Sequence, residues 1–267
     1  MAVIMPGAEP YWLPAPPHLR RSLGCLILHG FTSSPGETRW LGQALAARGY
    51  DALGVRLAGH GVEPEALART RWQDWLASAL DGYHLLRGQH DQIVVIGHSA
   101  GGVVSLLLSL EVPVIGVGAL AAPMMIRQAS ARSARWTRFL FPFTDQTDRT
   151  ELGAIMRAEQ ARRGEPPIGR IRYDRWPSAA VAQMVSMVAH MRSRLAEVCV
   201  PLLLVYSQND PTVSPENAAI LVREARAPFI RQHWLERSGH NVTVDVEREQ
   251  VFAAAAAFCD ELAKQKG

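Results

Sequence analysis

The stretch that most constrains this chain is Val94-Val95-Ile96-Gly97-His98-Ser99-Ala100-Gly101-Gly102. A β-branched apolar run ends in Gly-His-Ser-Ala-Gly, and a Leu/Val-rich helical pattern, Ala100 to Leu110, begins at once. This is G-x-S-x-G set between a buried strand and a helix, a turn so sharp that its apex serine enters a sparsely allowed backbone region. Side chains flanking such an apex would collide, which accounts for glycine at 97 and 101. The turn holds a hydroxyl above the sheet and aims the free N–H groups of a helix start at the same spot. There they can stabilise a developing oxyanion.

The remaining pattern supplies neighbours for that strand. Leu23–Leu28 is a continuous apolar run and reads as a buried strand. Glu37 to Arg48 has helical periodicity (Trp40, Leu41, Ala44, Leu45), with Gly49 at the stop position. Asp51–Leu57, Gln92–Ile96 and Val114–Leu120 read as further strands, and Trp72–Arg87 as a helix. Such alternation predicts a parallel sheet covered by helices on both faces. The rhythm stops between Met124 and Pro177 and resumes with a helix at Ser178–Glu197. A strand at Leu202–Tyr206, a helix at Pro215–Arg226, a strand at Phe229–Leu235 and a helix at Val244–Lys264 follow. The expected division is an extended, proline-interrupted arm over 1–20 anchored by Tyr11, Trp12 and Leu13, a core over 21–123 and 178–267, and a helical cap over 124–177. Within the cap, Trp136, Phe139, Leu140 and Phe143 fall at i, i+3, i+4 and i+7, while Arg132, Arg135 and Arg138 fall mostly elsewhere. This spacing predicts an amphipathic helix with its apolar face on the body. That face could also line an acyl pocket beside Gly30 and Met124, and the basic face could meet a lipid surface.

A serine hydroxyl is a weak nucleophile unless a base takes its proton and a carboxylate orients the base. In an open parallel sheet the reacting groups lie beyond the carboxyl ends of the strands. Two candidates do so. Asp210, in Ser207-Gln208-Asn209-Asp210-Pro211, follows the strand at 202–206, and His240, in Arg237-Ser238-Gly239-His240-Asn241, follows the strand ending at Leu235. Ser99, Asp210 and His240 therefore form the candidate triad. Asp210 could instead only shape its Asn-Asp-Pro turn. Asp174 and Asp245 are rival acids, one inside the cap and the other expected to open the last helix. Phe31, in the loop His29-Gly30-Phe31, would offer its backbone N–H alongside that of Ala100, with Gly30 permitting close approach. His60, in Gly-His-Gly, reads as structural.

Composition removes other classes. A formal charge of +3 is too mild a bias for nucleic-acid binding. Lys264 and Lys266, in the tail, are the only lysines, which excludes a buried Schiff-base lysine. The histidines lack metal-binding spacing, there is no dinucleotide fingerprint, and the triad calls for no cofactor. Cys25, Cys199 and Cys259 read as buried free thiols of a reducing compartment. Met1–Pro17 lacks a basic leader, and no apolar run approaches about 18 residues, so a cytoplasmic protein without a membrane span is expected.

The chain resembles the serine α/β-hydrolases, and more narrowly the small bacterial carboxylesterases and monoacylglycerol lipases. The segments that carry the likeness are Leu26-Ile-Leu-His-Gly-Phe-Thr32, Gly59-His-Gly61, Gly97-His-Ser-Ala-Gly-Gly102, Ala122-Pro123-Met124, Asn209-Asp210 and Ser238-Gly-His240. The resemblance implies an α/β-hydrolase fold with about eight mostly parallel strands and a small helical cap inserted after the sixth. It implies a nucleophile at Ser99, an acid at Asp210, a base at His240, oxyanion donors at Phe31 and Ala100, and a small-molecule ester of short to medium acyl chain as substrate. His98 and Ala100 replace the bulkier Leu-Ser-Leu of some relatives, which bears on the width of the pocket. Thioester hydrolysis, carbon–carbon bond hydrolysis and acyl transfer could run on the same triad, and a non-catalytic binder could keep the fold. Dehalogenase and epoxide-hydrolase chemistry is disfavoured, since those relatives carry aspartate at the elbow.

Overall fold

Alternation within the apolar runs decides the architecture. The computed structural model describes residues 3–137, 139–145 and 151–264, with the backbone alone at Ala129, Ser130, Arg135 and Thr137. Arg138, and the side chain of Arg135, thus lie outside the described residues. In strand β2 (Leu23–Leu28), following β1 (Tyr11–Leu13), Cys25 and Ile27 join one buried cluster and Leu26 and Leu28 another. The same split recurs in β4 (Gln92–His98), where Val94 and Ile96 oppose Val95. Both faces are covered, so each strand reads as apolar throughout. Helices α1 (Arg39–Ala47) and α9 (Arg248–Lys264) pack on the Cys25 side. On the other side lie α3 (Trp72–Arg87), α4 (Ala100–Glu111), α7 (Ser178–Ser193) and α8 (Glu216–Glu224).

With β3 (Asp51–Val55), β5 (Gly116–Leu120), β8 (Leu202–Ser207) and β9 (Ile230–Leu235), the main sheet has seven strands in the order β1-β3-β2-β4-β5-β8-β9. All neighbours pair in parallel except β1, which runs antiparallel to β3. About eight strands were expected. The proline-rich arm contributes a single three-residue strand before β2, bracketed by Pro10 and Pro14 and confined to the edge. The insertion accordingly follows the fifth strand, not the sixth. Successive strands are laid to one side of β2 and then to the other, so the order reverses between β2 and β4. Ligand crevices form outside the carboxyl ends of strands at such a reversal.

The connection after β3 carries a short helix α2 (Pro64–Ala68). The insertion holds α5 (Ala129–Thr137), α6 (Leu152–Arg162) and a two-stranded ribbon of β6 (Phe143–Asp145) and β7 (Arg175–Pro177). This corrects the amphipathic helix expected across 136–143. Helix α5 ends at Thr137, Pro142 follows, and Phe143 lies in a strand with the Arg175 guanidinium over its ring. Trp136, Phe139 and Leu140 are each about two-thirds or more exposed, at 69%, 76% and 78%. They lie mostly at the surface rather than buried as the apolar face of a cap helix. Cys199 is also exposed, whereas Cys25 and Cys259 are buried. No described helix is long and apolar enough to cross a membrane.

Candidate active site

Ser99 stands between β4 and α4 with φ 54° and ψ −120°, a strained conformation for a side-chain-bearing residue. The glycines permit it. A Cβ on Gly97 would strike the Gly101 carbonyl, and one on Gly101 would strike the carbonyls of Leu28 and His29. The elbow is thus pressed onto the end of β2 as well as onto α4. Gly30, beyond that end, lies close enough that a Cβ there would sit 3.3 Å from Ser99 Cβ and 3.2 Å from His98 Nδ1. Ala100 opens α4, so its N–H belongs to the first turn, which has no acceptor within the helix.

The other two candidates arrive from β8 and β9, which pair with Ser207 opposite Leu235. Asp210 follows three residues after β8, and His240 five residues after β9. Asp210 accepts the N–H groups of Thr212 and Val213 on Oδ1, at 2.7 and 2.9 Å. Its Oδ2 is 2.7 Å from His240 Nδ1. The aspartate therefore shapes its turn and orients the histidine at once, one oxygen for each task. Burial pushes its carboxyl up, but the hydrogen bond and charge of His240, with the two backbone donors, outweigh this and hold it below its ordinary value. An ionised carboxylate only accepts, so Nδ1 carries a proton, and in the neutral imidazole Nε2 keeps its lone pair. That lone pair lies 2.9 Å from Ser99 Oγ.

The rival acids stand elsewhere. Asp174 is exposed, and Asp245 accepts the N–H of Gly239 at 2.7 Å. His60 is buried, with Nδ1 donating to the Ala58 carbonyl and its ring against His29, Phe31 and Trp75. His29 accepts the Leu57 N–H on Nε2, and burial pushes its imidazole down to about 4, so it is neutral at pH 7. Phe31 packs on Trp75 and Trp176, and Met124 is buried where its N–H meets Asn217 Oδ1 at 2.7 Å.

Sequence reasoning missed the residues that hold this loop. His98 donates from Nε2 to the His240 carbonyl at 2.8 Å. Burial and the neighbouring His240 push its imidazole down to about 4, so it acts as a neutral donor. Glu247 accepts the N–H groups of Arg237 and Ser238, at 2.9 and 2.7 Å. Arg170, from the insertion, reaches Asn241 Oδ1 at 2.9 Å. A histidine at the centre of the elbow was the one legible signal among these. The carboxylate and the arginine are common residue types at uninformative spacings.

Comparison with known proteins bears on this geometry. A family profile described as "Serine aminopeptidase, S33" matches residues 22–247. A carboxylesterase of Bacillus subtilis (strain 168) is 28% identical over 238 residues, 89% of this chain and 92% of the other. A thermostable monoacylglycerol lipase of Bacillus sp. (strain H-257) is 28% identical over 256 residues, 96% of this chain and 95% of the other. Among solved structures, one described under the metagenome-derived lipolytic enzymes LipS and LipT superposes with a TM-score of 0.84 at 24% identity. It covers 97% of this chain and 100% of the other, a likeness of fold.

Proposed function

The chain belongs to the serine α/β-hydrolases, in the family described as serine aminopeptidase S33, and from that premise we propose that it cleaves carboxylic esters through an acyl-enzyme on Ser99. The observation that carries this reading is the unbroken line of hydrogen bonds from Asp210 through His240 to the Ser99 hydroxyl. As the ester carbonyl approaches, Ser99 Oγ attacks and passes its proton to His240 Nε2. Asp210 stabilises the imidazolium and keeps its orientation. Negative charge gathers on the carbonyl oxygen, where the N–H groups of Phe31 and Ala100 receive it. His240 then protonates the departing alcohol, and later takes a proton from the water that releases the acid.

Preference for esters draws on the carboxylesterase and lipase relatives. Short to medium acyl chains, with monoacylglycerols among the candidate substrates, suit the apolar surroundings of Phe31, Met124 and the Trp176 ring, 5.6 Å from that of Phe31. Each buried CH₂ contributes about 0.8 kcal/mol. For p-nitrophenyl esters, kcat/KM should therefore rise beyond acetate, and a maximum at acetate would remove the acyl pocket. Ser99→Ala should lower kcat by about 10⁶-fold and abolish labelling by a fluorophosphonate. Hydrolysis near the parent rate would end the assignment.

A further inference from the structure

His240 is carried by a segment without regular structure, running from the end of β9 to the start of α9. Side chains therefore set where its imidazole stands. Two belong to the segment itself, Glu247 on the N–H of Ser238 and Asp245 on that of Gly239, and His98 of the core donates to the His240 carbonyl. Thr243 Oγ1 donates to the Glu37 carbonyl at 2.8 Å. The contact on Asn241, the residue after the histidine, comes from the insertion.

Resting on the reading that His240 is the base for Ser99, we propose that Arg170 is a positioning residue for it, coupling the insertion to proton transfer. The guanidinium is largely buried and places Nε 2.5 Å from Glu37 Oε1 and Nη2 2.9 Å from Asn241 Oδ1. Its nitrogens are fixed in one plane, so pairing with Glu37 dictates where Asn241 must lie. Glu37 is buried beneath. Burial pushes its carboxyl up, and the charge and hydrogen bond of Arg170 more than offset this, holding it below its ordinary value.

The backbone at Arg170 is set in turn by α6. Gly169 has φ +74° and gives its N–H to Gln160 Oε1 at 2.7 Å. The adjacent Glu159 receives Arg248 Nη2 at 2.7 Å, and Arg248 Nη1 reaches the Asp245 carbonyl at 3.1 Å. Through Arg170 and Arg248, one helix of the insertion is thus linked to the segment that carries His240 at two points, Asn241 and Asp245. A shift of α6 is transmitted to the distance between His240 Nε2 and Ser99 Oγ. The charged and titratable groups around His240 are Asp210 at Nδ1, the His98 ring at 5.1 Å, Glu37 facing His98, Asp245 behind Gly239, and Arg170.

The experiment is steady-state kinetics on a soluble p-nitrophenyl ester across pH, using the full chain with Arg170→Gln, Arg170→Lys, Asn241→Ala and Ser99→Ala. Arg170→Gln should lower kcat by about tenfold to a hundredfold with KM within about threefold. The acidic limb of kcat/KM should move to higher pH, because removing a positive charge from beside the His240 segment makes the imidazolium less disfavoured. Arg170→Lys should recover part of kcat and return the limb. Asn241→Ala leaves the Arg170–Glu37 pair in place and should reproduce the kcat loss at unchanged Tm, which decides the matter if Arg170→Gln does not fold. Parent kcat and an unmoved limb in folded Arg170→Gln, or parent kcat in Asn241→Ala, would overturn the proposal. If Ser99→Ala itself retains hydrolysis, the reading of the triad falls instead, so the two failures are distinguishable.

Discussion

At the scale of single residues, Asp210 makes the sharpest case. In Asp210→Asn the side-chain oxygen can still accept the N–H groups of Thr212 and Val213, so the turn survives. The amide NH₂ would then face His240 Nδ1 and demand a lone pair there, leaving the proton on Nε2 where Ser99 needs an acceptor. The expected outcome is a fall in kcat of about 10⁴-fold with an unchanged circular dichroism spectrum. Near-parent turnover would release Asp210 from the role. Gly30→Ala tests the neighbouring loop. The added methyl would press on His98 Nδ1 and Ser99 Cβ, at 3.2 and 3.3 Å. A displacement of that kind beside the reacting oxygen should cost about tenfold to a hundredfold in kcat while the protein folds.

Among the elements, α6 buries Leu152 and Met156 in the core and adds an ion pair from Glu159 to Arg248 of α9. Glu159 is buried and receives Arg162, Arg163 and Arg248. The Arg162 hydrogen bond, against burial and with help from the other two guanidiniums, holds its carboxyl at about 2, below the ordinary 4.5. A carboxyl depressed in the folded state contributes stability that is complete above about pH 4.5 and is lost as the pH falls towards about 2. Glu159→Gln should therefore destabilise the protein by about 1–3 kcal/mol at pH 7. Denaturant titrations of the two proteins should converge near pH 2, and a penalty independent of pH would contradict the assignment. The cap helix expected across 136–143 shows where periodicity misleads. Apolar spacing specifies a face only while the backbone remains helical, and the helix stops at Thr137, before Pro142. Elsewhere the boundaries follow sequence closely, as in β2 and α3, because each apolar run is matched to one period and closed by a turn signal.

For the molecule as a whole, Trp136, Phe139, Leu140 and Phe141 are exposed on the insertion, with Arg132 also exposed on α5. We expect this surface to meet anionic lipid, and the parent to co-float with phosphatidylglycerol vesicles more than a Trp136→Ser, Leu140→Ser variant does. Equal flotation would remove the contact. The local string of residues was sufficient to specify a strand–elbow–helix unit at Ser99, the alternation that makes the sheet parallel, and Asp and His candidates at later strand ends. These depend on backbone sterics and on apolar period, which act over a few residues. Which edge the N-terminal arm joined, that one oxygen of Asp210 faces His240, and that His98, Glu37, Glu247 and Arg170 contact the segment carrying His240 were decided by tertiary structure. Such contacts join residues far apart in sequence, 142 positions for His98 and His240 and 206 for Glu37 and Thr243. Their geometry exists only after the sheet has stacked its strands in the order that crosses over between β2 and β4.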